Sequence, residues 1–133
     1  MQLTGVNIED DSICSHPVVL TLTFSDVENP IDFTLVAKHV LDVASSRLSV
    51  NLLEERHHFS AGENTITVTL PGLPEDMSSK YQTKLVNNMG LLSLSFLEND
   101  KKEEDCFTIN LVCSYRLNKT KDQIVRTIFN PLE

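Results

Sequence analysis

The chain has 133 residues, the size of one hydrophobic core, with 41% hydrophobic and 23% charged residues; this is ordinary globular composition, unlike a disordered chain, a collagen-like repeat or a disulfide-built miniprotein. Its longest apolar runs are about four residues, against the ~20 that a membrane-spanning helix needs. Nineteen acidic and 11 basic residues give a net charge of -8, which disfavours a binder of nucleic acid or of anionic membranes and points to basic partners.

The first residues, Met1 to Val6, carry neither a basic segment followed by an apolar stretch nor an Arg-rich transit pattern. Three cysteines, Cys14, Cys106 and Cys113, make an odd set that fits reduced thiols in cytosol or nucleus. No repeat, low-complexity tract or linker divides the chain, so residues 1–133 are expected to form one domain.

Strict alternation of apolar and polar residues marks a first strand over Val18 to Phe24, with Val18, Leu20, Leu22 and Phe24 on one face. Ser25 to Pro30 is a turn cluster. Ile31 to Leu53 reads two ways, because Phe33 and Leu35 alternate while Val36, Val40 and Val43 also fit a helical face; its β-branched content favours strand. Glu54 to Asn64, with His57 and His58, is expected to be a polar loop. Alternation returns over Thr65 to Leu70.

Met77, Tyr81, Leu85 and Met89 then recur every four residues, with Pro74 ahead, acids in the first turn and Gly90 behind, which predicts a helix. Strands follow at Leu92 to Phe96 and Phe107 to Leu117, joined by a charged hairpin tip over 98–105. Thr120-Lys121-Asp122-Gln123 has capping-box spacing before Ile124, Val125, Ile128 and Phe129, predicting a last helix over 120–129. The expected fold is α+β: a mostly antiparallel sheet with helices packed on one face.

Candidate chemistry is sparse. Cys14, His16, His57 and His58 offer metal-ligand atoms, but without a CxxC or HxxxH spacing, and loop histidines beside a half-buried cysteine are the plainer reading. Cys106 and Cys113 are seven apart in one strand, so they face opposite ways, and Cys113 falls on the core side. Cys14 with His16 could form a nucleophile pair, yet no glycine-rich elbow accompanies either residue. With four glycines there is no phosphate cradle, and the Leu70-Pro71-Gly72-Leu73-Pro74 turn alone is weak as an anion site. No catalytic, cofactor or metal residue is therefore assigned.

What remains is a sheet face of Thr, Ser and Asn with apolar members such as Val19 and Val112. Beside it lies a basic rim of Arg116, Lys119, Lys121 and Arg126 around the last helix. Faces of this kind, and exposed strand edges, serve for pairing with other proteins. These six residues are the candidate partner-binding set.

From Ile66 onward the expected order is strand, Pro/Gly turn, helix, strand, hairpin, strand, helix. With Leu92-Ser93-Leu94-Ser95-Phe96-Leu97 and Val112-Cys113-Ser114-Tyr115-Arg116-Leu117-Asn118, this order resembles the small proteasome assembly chaperones of the type 3 and type 4 classes. The resemblance covers about half the chain, and residues 26–64 depart from it. It implies a non-catalytic α+β protein without cofactors. Such a protein heterodimerises with a related small chaperone and binds proteasome α-type subunits during assembly of the 20S α-ring. The alternatives are an adaptor or scaffold subunit of another intracellular complex and, last, a small cysteine- or metal-dependent enzyme.

Overall fold

The computed structural model describes residues 1–43, 46–73, 86, 89–118 and 123–132. Strands are β1 (Gln2–Glu9), β2 (Val18–Val27), β3 (Ile31–Val43), β4 (Ser46–Phe59), β5 (Gly62–Leu70), β6 (Gly90–Glu98), β7 (Phe107–Asn118) and β8 (Gln123–Ile128), with one short 3-10 turn at Glu103–Asp105. They form two antiparallel sheets, β1-β2-β5 and β4-β3-β6-β7-β8.

The α+β expectation is overturned. Strand makes up 72% of the described structure, and among the described residues no helix covers either sheet. The sheets instead bury their apolar faces against each other. The helix expected at 120–129 is β8 from Gln123 onward. Ile124 and Ile128 fit a four-residue helical spacing, but with Arg126 between them they also fit alternation, and Ile124 and Arg126 are buried while Thr127 is exposed. A charged residue at an inward position hid the strand. The helix expected over Met77 to Met89 falls almost wholly outside the described residues.

The described residues of Ile31 to Leu53 are strand, as its β-branched content favoured, and the expected loop after it is largely strand, since β4 runs on to Phe59. Leu52 is the extra residue where the β3–β4 register shifts, between the pairs Ala37–Leu53 and Lys38–Asn51. The segment over 98–105 is a solvated hairpin tip, as predicted, closed by an ion pair between Lys101 Nζ and Glu98 Oε2 at 2.9 Å.

Phe24 of β2 centres the core. Its ring lies 5.1 Å from Phe59, 5.3 Å from Phe96 and 5.9 Å from Phe107, all from the five-stranded sheet. Aromatic rings at such tilted or edge-on angles attract beyond their buried area. Gly72 lets two loops touch: a Cβ there would sit 2.2 Å from the carbonyl of Ser15. That contact, with Leu73 N–H donating to Cys14 O at 3.1 Å, anchors the start of the β5–β6 crossover. The Leu73 amide is thus engaged inside the protein.

Candidate interaction surface

The outward face of the five-stranded sheet follows from register. Val40 pairs with Ser49 of β4 and Leu91 of β6, and Leu91 pairs with Val112 of β7. Phe129 N–H then donates to Val112 O at 2.9 Å, so this row continues past the end of β8. Val40, Leu91, Val112 and Phe129 lie side by side as an apolar band across the sheet. Val112 is 39% and Phe129 48% exposed, and the exposed Met89 immediately precedes β6.

The next row is polar: Asn51, Lys38, Ser93 and Asn110. Beyond it stand Glu54, Val36, Ser95 and Thr108, with the Ser95 and Thr108 hydroxyls 3.4 Å apart. On the other side of the band, exposed Arg116 pairs with Val125, and Ser114 with Thr127. The face thus has an apolar centre framed by small hydroxyl and amide groups, with Lys38 and Arg116 as cations.

The sequence-predicted residues scatter around this arrangement. Val112 and Arg116 belong to it. Val19 lies on the outward face of the other sheet, between Glu9 and Thr69. Lys119 and Lys121 lie outside the described residues. Arg126 is not part of a basic rim at all. It is 6% exposed and ion-paired to Asp10 at 2.9 Å, and it donates from Nη1 to Cys14 O at 3.0 Å and from Nη2 to His16 O at 2.7 Å. Its guanidinium bolts the β1–β2 connection across β8, where Ile13 also bridges Val125.

Leu91, Val40 and Phe129 escaped the sequence reading. They come from β3, β6 and the residue after β8, and only register brings them together. A signal did exist in Leu91 and Leu97, which break the serine alternation of β6 with apolar outward residues.

Beneath this surface the inward face holds buried polar groups. His39 Nε2 is hydrogen-bonded to the Tyr115 hydroxyl. Burial, followed by the Arg126 charge, lowers the His39 pKa from 6.5 to about 4. Burial drives the Cys113 thiol up to about 12 and the Tyr115 phenol well above its usual range. A nucleophilic cysteine needs the opposite shift, toward thiolate. The cavity that His39, Cys113, Tyr115, Cys14 and Arg126 line is about 10 Å³, room for one water at most.

The remaining histidines are tied up one by one. His16 Nδ1 meets Asp11 Oδ2 at 2.6 Å, and that hydrogen bond holds the Asp11 carboxyl below its ordinary pKa. His58 Nδ1 meets Asp32 Oδ1 at 2.7 Å on the outward face. His57 Nε2 meets Glu55 Oε2 at 3.0 Å, and the His57 ring stacks on Phe33. Cys14, expected half-buried, is 1% exposed. Among the described residues no three His, Cys, Asp or Glu side chains converge as metal ligands.

No protein-family model matches the chain, and no curated protein matches it. Solved structures do match. One is the crystal structure of a protein from Archaeoglobus fulgidus, aligned over 97% of this chain and 98% of that one at 11% identity and a TM-score of 0.47.

Proposed function

We propose that this chain is a non-catalytic protein-interaction module that docks a partner on the outward face of its five-stranded sheet. The observation that carries the reading is the Val40–Leu91–Val112–Phe129 band, in which Val112 and Phe129 are exposed and Val40 and Leu91 half-buried, on a face whose opposite side is already packed. The fitting partner places apolar side chains over the band and hydrogen-bonding or carboxylate groups over Ser93, Asn110, Lys38 and Arg116. Binding would hold that partner in one state by mass action.

In its specific form the partner is a related small chaperone together with proteasome α-type subunits. The C-terminal helix that entered that resemblance is a strand here, so the support for the specific form is the outward face alone. Affinity capture from native extract with the wild type and with Val112→Asp, both checked for fold by circular dichroism, tests the reading. Recovery of α subunits and a small chaperone by the wild type only supports the specific form. Loss of any other bound protein in Val112→Asp supports the general one. Equal recovery by both chains overturns the placement.

A further inference from the structure

We infer that β5 is a homodimerisation edge, along which two copies of this chain pair antiparallel about a two-fold axis at Thr67. The four sheet edges differ in how they are protected. β8 is strapped by residues 12–14, whose backbone bonds to Ile124 and Arg126. β1 has a register shift between Leu3 and Gly5, and Asn130 Nδ2 donates to Val6 O at 2.7 Å. β4 carries Arg47, Glu54, Glu55, Arg56, His57 and His58 along its length. Charges, irregularities and straps are the usual means by which an edge avoids a second strand.

Among the described residues, β5 has none of these from Asn64 to Leu70. It is hydrogen-bonded to β2 on one side, and among the described residues no other backbone segment bonds to it. Its sequence Thr65-Ile66-Thr67-Val68-Thr69 is uncharged, β-branched throughout and symmetric about Thr67.

That symmetry selects the occupant. A two-fold pairing sets each residue against the one whose number completes the same sum. Thr65 then faces Thr69 of the second copy, Thr67 faces its own equivalent, and Ile66 faces Val68. Even offsets keep the faces matched: Val68 and Leu70 point into the core, while Thr65, Thr67 and Thr69 are exposed. The threonine ladder already exists within one copy, with Thr21 and Thr67 hydroxyls 3.4 Å apart and those of Thr23 and Thr65 also 3.4 Å apart. Dimerisation continues it across the axis, with favourable Thr–Thr and β-branched cross-strand pairs. Glu63, the one charge in β5, falls opposite Pro71 and meets no like charge.

Each copy carries a net charge of -8, so the dimer should tighten as salt screens that repulsion. Sedimentation equilibrium up to several hundred micromolar, at low and high salt, is expected to show a monomer–dimer equilibrium that strengthens with salt. Thr67→Lys, which sets two ammonium groups face to face, should weaken it at least tenfold while the far-ultraviolet spectrum stays unchanged.

Disulfide trapping in a Cys106→Ser background tests the register without relying on that variant. Thr67→Cys should cross-link to itself. Thr65→Cys and Thr69→Cys should each fail alone, because their own equivalents lie about 13 Å apart, and should cross-link when mixed. A chain that stays monomeric throughout the range, a dimer indifferent to Thr67→Lys, or trapping at other positions in place of these would overturn the inference.

Discussion

The two faces of the five-stranded sheet invert the usual division of labour. Inside, among the phenylalanines and leucines, sit His39, Tyr115 and the Asp10–Arg126 pair, each satisfied by a protein partner. Outside, Val112 and Phe129 are exposed beside the half-buried Val40 and Leu91. Polar groups are buried where they fasten the sandwich, and apolar groups are exposed where nothing in the fold needs them. Departures from binary pattern concentrate at anchoring and functional positions. The contrast separates the two kinds here, because a buried polar group should affect folding and an exposed apolar one should affect association.

The largest test breaks the inner anchor. Arg126→Met leaves Asp10 charged and buried without its partner, and should cost about 3–5 kcal/mol in urea denaturation. Replacing Asp10 by Leu as well should recover much of that loss, because a buried pair is worth little against apolar isosteres.

Next is the pH response of His39, whose folded pKa is about 4 against 6.5 for an unperturbed imidazole. Between those values the unfolded chain binds the extra proton, so stability rises with pH through this window and is lost as pH falls from about 6.5 toward 4. The full loss is roughly 3 kcal/mol. Unfolding free energies measured from pH 7 to pH 4 should therefore slope less steeply for His39→Leu than for the wild type, whatever that variant costs at pH 7. Gly90 reports on the same spot. A Cβ at this position would lie 2.7 Å from Tyr115 Oη and 2.9 Å from His39 Nε2, so Gly90→Ala should lower stability by about 1–3 kcal/mol.

The smallest expected change is the most telling for function. Val112→Asp on the outer band should cost no more than about 1 kcal/mol in unfolding free energy while weakening the association proposed for that face. A destabilisation as large as that of Arg126→Met would instead assign Val112 to the structural side of the comparison.

Most of the sheet was legible in the sequence because alternation is local. The strands around Leu20, Val68, Leu94 and Leu111 announce themselves, and Cys113 reads correctly as a core residue. β1 was missed because Gly5, at its register shift, interrupts the Leu3, Val6 and Ile8 pattern. β8 was missed because its inward Arg126 is charged, and pattern alone cannot tell that Asp10 waits opposite. The proposed interaction surface was half legible. Alternation within β7 exposes Val112 and Arg116, but their neighbours on β3, β6 and the segment after β8 depend on pairings that no local pattern reveals. Val19 obeys the same alternation yet belongs to the other sheet, a distinction that only topology makes.

The Asp10–Arg126 bond also sets an order of events. Its two ends are 116 residues apart in sequence, so it closes one of the largest loops the chain can form, and the entropy of that closure must be met before the contact returns anything. Until β8 is in place the Asp10 carboxylate remains hydrated, the strap over residues 12–14 has nothing to fasten, and β7 presents a bare edge. The β3–β4 and β6–β7 pairings close short connections, whereas this pair closes only across most of the chain. Substitutions at Arg126 should therefore slow folding only slightly and accelerate unfolding strongly, the signature of a contact made after the barrier is crossed.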